Sequence, residues 1–218
     1  MPDTIDPVGI AYRLFQTKVI DFSRQEGWSL RIHRDYPHAP RAPFYTDVRL
    51  LPSYVSLFRD VVDLYVAMLR KSGMKLERIS DVPTASTPIA TALMMRTQIP
   101  LIRPRLDAKT YGQEKDIDGI WLPGQRVGII DDIRTTGATK EAVIRILKNS
   151  DLVPMAIYVL IDYDPHATPI AGLPVIAAYQ WDQLLKDYAD KGIISEEIYE
   201  RSLNYNTALR AYIREQSQ

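Results

Sequence analysis

The stretch RVGIIDDIRTTGATKEAVIRILKNS, residues 126–150, restricts the fold more than any other part of the chain. Four of its first five residues can fill a buried strand, and KEAVIRILKNS has the apolar spacing of an amphipathic helix. Between them stand two adjacent carboxylates, Asp131 and Asp132, then a run of small and hydroxyl residues around one glycine. Mutual repulsion and desolvation both oppose two negative charges at the end of a core strand. One acid would suffice as a helix N-cap. The second needs another explanation.

The same alternation runs through the rest of the chain. PVGIAYRLFQTKVIDFSRQ has helical spacing through Ile10, Leu14, Val19 and Phe22. RDYPHAPRAP, residues 34–43, holds three prolines and two arginines and reads as extended loop. FYTDVRLL alternates as a strand. SYVSLFRDVVDLYVAMLRKSG is an amphipathic helix, with Ser53 as N-cap and Gly73 as its stop. LERISDV, IPLIRPR, PMAIYVLID and LPVIAAYQ read as further strands, and PIATALMMRTQ as a helix. DAKTYGQEKDIDGIWLPGQ is a long polar loop or hairpin, and WDQLLKDYADKG and SEEIYERSLNYNTALRAYIREQ are terminal helices. This is the pattern of an α/β fold: a mostly parallel central sheet with helices on both faces. Ligands of such sheets bind beyond the carboxyl ends of the strands, where Asp131 and Asp132 fall.

Composition narrows the function. With 27 acidic and 27 basic side chains the formal charge is zero, so neither nucleic acid nor an anionic membrane is an expected partner. There is no cysteine, hence no disulfide, thiolate metal site or cysteine nucleophile. His33, His38 and His166 lack metal-like spacing, so no protein-held metal is expected. No window nears the roughly 18 apolar residues of a membrane span, and the acidic N-terminus is unlike a secretory signal. A soluble cytoplasmic protein is expected.

The turn after the acids fits one kind of ligand. Thr135, Thr136, Gly137, Ala138 and Thr139 precede or open a helix, where backbone N–H groups converge at the positive end of the helix dipole. The chain has neither GxxxxGK[ST] nor GxGxxG. A monophosphate cradle a few residues from paired acids suits a sugar phosphate, its vicinal hydroxyls on the carboxylates.

An apolar strand, DD, two further residues, TTG and a small residue together resemble the signature of the type I phosphoribosyltransferases. The rest of the chain, from about Phe15 to Tyr205, is most similar to their orotate branch. PFYTDVRLL resembles that branch's N-terminal segment, VPTASTPIAT its substrate-phosphate loop, and IPLIRPRLDAKTYG its catalytic loop R-K-E-x-K-D-(H/Y)-G. The resemblance implies one phosphoribosyltransferase domain over residues 1–218, with about 1–50 as an N-terminal hood. It implies transfer of the 5-phosphoribosyl group of phosphoribosyl pyrophosphate to a pyrimidine base, by default orotate. Catalysis would rest on Asp131, Asp132, Arg105 and Lys109. Thr84, Ala85, Tyr111 and the 135–139 turn would complete the phosphoribosyl pyrophosphate site. Tyr45, Thr46, Thr135 and Tyr163 would line the base. Mg2+ would be held mainly through substrate, and the protein would be a homodimer whose catalytic loop reaches its neighbour.

Three positions depart from the pattern. Leu106 stands where the loop has a second lysine, and Pro37 where the N-terminal segment has one. Tyr163 follows Asp162 where the branch has an arginine for the orotate carboxylate. An uncompensated buried carboxylate is strongly disfavoured, so Arg34 or Arg41 is expected to supply a cation. Two alternatives to orotate transfer are the same reaction on another nucleobase, and a phosphoribosyl-pyrophosphate-binding regulator without turnover.

Overall fold

The computed structural model describes residues 5–106, 116–135, 137–164 and 168–216. In chain order the elements are α1 (Pro7–Gln16), β1 (Ile20–Asp21), β2 (Tyr45–Thr46), α2 (Val55–Lys71), β3 (Arg78–Asp81), α3 (Thr87–Thr97), β4 (Leu101–Pro104) and β5 (Ile117–Asp118). Then come β6 (Arg126–Ile130), β7 (Ile133–Arg134), α4 (Ala138–Asn149), β8 (Val153–Asp162), β9 (Val175–Gln180), α5 (Trp181–Asp190) and α6 (Glu196–Gln216). The chain divides into two compact units: Met1–Pro7 with Leu51–Trp181, and Val8–Leu50 with Asp182–Gln218. The second unit thus joins residues 8–50 to the C-terminal residues 182–218.

The first unit is built on a seven-stranded sheet in the order β5-β4-β3-β6-β8, with β7 and β9 both pairing β8. Every pairing is parallel except β4 with β5. Residues Ala156–Asp162 of β8 are buried without a break, as a parallel strand covered on both faces must be. Val127, Ile129, Ile157 and Val159 of the sheet and Val143, Ile144 and Leu147 of α4 form one apolar cluster. In α2, Leu57, Val61, Leu64, Tyr65, Met68 and Leu69 are buried at the three- and four-residue spacing that faces one side of a helix. Among the described residues no helix is long and apolar enough to cross a membrane.

From β3 the chain passes to β4 on one side, and from β6 to β8 on the other. The gap between β3 and β6 is therefore a topological switch point, with the turns into α3 and α4 at its carboxyl end. β7 continues the line of β6 along β8 after a two-residue break. That break is Asp131–Asp132: the Asp131 amide donates to the Tyr158 carbonyl, and the Asp132 carbonyl accepts from the Leu160 amide.

The second unit pairs β1 with β2 antiparallel. Phe15, Phe22, Phe44, Tyr188 and Tyr205 pack as aromatic neighbours around it, and the Tyr188 hydroxyl donates to the Ala11 carbonyl at 2.6 Å.

Local expectations change in four places. The first helix ends at Gln16, because the Thr17 hydroxyl bonds the Arg13 carbonyl and Lys18 turns left-handed at φ 56°. Only Tyr45–Thr46 of FYTDVRLL is strand; Asp47 accepts from the Arg49 amide through Oδ1 and starts a 3-10 turn, Val48–Ser53. Ser53 is consequently no cap, and α2 starts after Tyr54 without a side-chain cap. The proline-rich segment is flanked by a 3-10 turn, Arg31–Arg34, and a Trp28–Ala42 bridge rather than being extended throughout. The hairpin reading after β4 holds, since β5 returns antiparallel to it.

Candidate active site

The β6–α4 turn brings the two acids together but makes them unequal. Asp131 is 5% exposed. Its Oδ2 lies 2.5 Å from Nζ of Lys140, and its Oδ1 accepts from the Asp132 amide at 2.9 Å. Burial pushes its carboxyl up from 3.8 to about 7; the Lys140 ammonium opposes that rise and the Asp132 charge adds to it. The Tyr65 hydroxyl donates to the Asp131 carbonyl at 2.6 Å. Asp132 is half-buried and accepts from the Ile133 amide at 2.7 Å. Asp131 is therefore the more tightly held of the two and Asp132 the more exposed.

Lys140 is itself buried and donates to the Ile133 carbonyl at 2.7 Å. The sequence contained a signal for it. A lysine in the first turn of a helix is disfavoured by the helix dipole, and an anion close by offsets that cost. Arg134 is a second cation that motif reading passes over. Its guanidinium is buried, with Nη1 3.2 Å from Asp162 and Nη2 2.7 Å from the Thr168 carbonyl.

Gly137 opens α4 with φ 88°, a conformation that side chains with a Cβ resist. A Cβ there would stand 3.2 Å from Cδ1 of Ile170. Thr135 is exposed before it, and Ala138 and Thr139 form the exposed first turn of the helix rather than part of the loop. The first amides of α4 have no partner within the helix and point out of its N-terminus. Thr136 lies outside the described residues.

Across the switch point, β3 ends at Asp81 and a turn leads into α3. The Ser86 hydroxyl closes that turn, donating to the Val82 carbonyl at 2.6 Å and accepting from the Val82 amide at 3.1 Å. Thr84 is exposed on it and Ala85 is half-buried. The Pro83–Thr84 peptide is cis. At the end of β4, Arg105 is anchored at the base of the hairpin. Its Nε donates to Asp118 at 3.0 Å and its Nη2 pairs with the same carboxylate. Lys109 and Tyr111 lie outside the described residues.

The four residues expected around the base are spread over two regions. Thr135 is in the turn. Tyr163 is 8% exposed and packs edge-on against Trp181 at 4.5 Å, which leaves little of its ring for a ligand. In the second unit, Tyr45 stacks on Trp28 at 5.1 Å, and its hydroxyl accepts from Arg49 at 3.0 Å. Thr46 beside it is half-buried. Arg24 stands over the Trp28 ring at 5.4 Å, and Arg41 lies 3.9 Å from Glu26.

No protein-family model matches the chain. The orotate phosphoribosyltransferase of Pyrobaculum aerophilum is 31% identical to it over 168 residues, 75% of this chain and 85% of that protein. The enzyme of the same name from Coxiella burnetii is 26% identical over 184 residues, 82% of this chain and 88% of that one. Among solved structures, UMP synthase of Leishmania donovani matches with a TM-score of 0.73 at 29% identity, over 95% of this chain and 42% of that one.

Proposed function

The chain belongs to the orotate phosphoribosyltransferase family, and from that premise we propose how its residues carry the transfer from phosphoribosyl pyrophosphate to orotate. A ring nitrogen of orotate bonds to C1 of the ribose. The bond from C1 to the pyrophosphate oxygen breaks, its electron pair leaving on pyrophosphate, and orotidine 5'-monophosphate results. The observation that carries this reading is the switch point, where a glycine turn opening a helix adjoins two strand-end carboxylates.

The 5-phosphate is assigned to the first amides of α4, with Thr135 and Thr139 beside them. Asp132 takes a ribose hydroxyl directly. Asp131 takes its neighbour when ionised, and Lys140 favours that state. Both carboxylates stabilise the positive charge that develops at C1. An anionic acceptor nitrogen needs no general base, which suits a turn without histidine or cysteine. Lys109 and Tyr111 are assigned to pyrophosphate by the resemblance alone.

Among the described residues no group of three or more histidines, aspartates or glutamates could hold a metal. In this reading Mg2+ comes with the substrate, where it would offset charge on the leaving pyrophosphate. The relatives' names favour orotate over another base and over a regulator without turnover. The deciding measurement is pyrophosphate release from phosphoribosyl pyrophosphate and Mg2+ with a panel of bases. Release with orotate alone is expected; release only with uncharged bases would overturn the assignment.

A two-fold homodimer is part of the proposal. Mixing inactive Lys109→Ala with inactive Asp131→Asn is expected to restore part of the activity through hybrid dimers. No recovery despite demonstrated subunit exchange would place the catalytic loop over its own chain.

A further inference from the structure

The turn from β3 into α3, residues 82–86, has no charged side chain of its own. By its resemblance to a substrate-phosphate loop this turn would face the pyrophosphate, whose charge a nearby cation would offset, and the adjacent strand brings one. Ser80 of β3 is in register with Ile102 of β4, so Asp81 and Arg103 stand level at the carboxyl edge of the sheet. Arg103 directs Nε to Oδ2 of Asp81 at 3.3 Å and Nη2 to the Thr87 hydroxyl at 3.3 Å. That hydroxyl donates to the same Asp81 oxygen at 2.5 Å.

The cluster is polarised. The Asp81 side chain is 0% exposed, whereas that of Arg103 is 45% exposed. The anion thus lies inside and the cation faces outward. The other carboxylate oxygen, Oδ1, is buried without a hydrogen-bond partner. A carboxylate half-satisfied in this way is costly to a fold, and a role in orienting the arginine accounts for it. These bonds use Nε and Nη2 and leave the two N–H donors of Nη1 out of the cluster. A planar guanidinium suits the paired oxygens of a phosphate better than an ammonium does.

We propose that Arg103 is a pyrophosphate-binding residue of this protein, with Asp81 and Thr87 as positioning residues that fix its guanidinium beside the β3–α3 turn. The inference rests on the phosphoribosyl-transfer reading and adds to it a cation outside the catalytic loop. The carboxylate behind the guanidinium tempers its charge, so the expected effect is moderate.

The test compares two ligands that differ by the pyrophosphate group. In calorimetry, Arg103→Ala should weaken phosphoribosyl pyrophosphate binding about tenfold and leave ribose 5-phosphate unchanged. Arg103→Lys should fall between. In the reverse reaction the KM for pyrophosphate should rise by a similar factor. If Arg103→Ala fails to fold with Asp81 unpaired, Asp81→Asn/Arg103→Gln removes both charges and must show the same selective loss. Equal weakening of both ligands would assign Arg103 to structure alone, and no weakening of either would also overturn the proposal. A parent protein that does not bind phosphoribosyl pyrophosphate would sink the functional reading and this inference with it. A parent that binds both ligands, with variants that do likewise, sinks only the inference.

Discussion

The turn at 131–139 and the proline-rich segment at 34–43 place their charged and polar groups in different ways. In the turn, the groups lie together in sequence and the sheet sets their geometry. Asp131 is fixed on both carboxylate oxygens, and Gly137 is held at φ 88° under Ile170. In the proline-rich segment the cations are loosely placed. Arg34 is exposed, and Arg41, with a half-exposed side chain, approaches Glu26 only to 3.9 Å. A phosphate read by backbone amides cannot be moved without refolding the turn. A carboxylate on a base can be met by any arginine that reaches it. Motif reading therefore has a contiguous pattern to work on in the first region and none in the second.

The largest expected effect breaks the turn itself. Gly137→Val must place a β-branched side chain at φ 88° and against Ile170. Binding of ribose 5-phosphate should be lost, about a thousandfold or more in Kd, because close approach of the amides provides the site. Unchanged affinity by calorimetry would remove the phosphate cradle from this turn.

Next come the acids. Asp132→Asn should lower kcat by about 10²-fold or more without changing Tm, since its carboxylate is the more open of the two. Asp131→Asn should lose a similar factor. Parent-like turnover in both variants would end the ribose-clamp assignment.

These two variants also show what the sequence could reveal. The adjacent acids, the glycine and the following helix are contiguous, so pattern alone gave the α/β class, the strand end and the turn. The inequality of the acids was not legible in the same way. It depends on Lys140 folding back from the first turn of α4 to Asp131 and the Ile133 carbonyl. Asp81 and Arg103 were hidden because they meet across neighbouring strands, 22 residues apart in sequence. The short β1–β2 pair was lost for a related reason: Val19 and Phe22 fit a helical period, yet the chain turns at Lys18 and pairs Ile20 with Thr46.

The third test sharpens the contrast through pH. Asp131 is raised from 3.8 to about 7, chiefly by burial. The folded state therefore keeps a proton that the unfolded chain releases. Stability from this group is full below about 4 and is lost as pH rises through 7. Activity, which needs the ionised acid, should rise over the upper part of that window. Lys140→Gln removes the charge that holds the Asp131 pKa down, so the acid limb of kcat/KM should move to higher pH. Activity at neutral pH should then fall roughly tenfold. An unmoved limb would mean that Asp131 does not govern the profile. In Asp131→Asn, melting temperature should no longer decline over this window on account of the group.

The smallest effect is expected in the second region, where both arginines are exposed. Pro37, Leu106 and Tyr163 leave three family positions without a cation, and Tyr163 is packed against Trp181. We expect Arg34 or Arg41 to meet the orotate carboxylate. A half-exposed charge pair contributes about 1 kcal/mol, so Arg34→Ala or Arg41→Ala should raise the KM for orotate about fivefold. The KM for phosphoribosyl pyrophosphate should stay within about twofold, because the turn that reads the phosphate is untouched. The double variant should exceed either single one if the two arginines substitute for each other. If orotate still turns over well in the double variant with an unchanged KM, its carboxylate is recognised elsewhere. Arg49, already donating to the Tyr45 hydroxyl at 3.0 Å, is then the next arginine to replace.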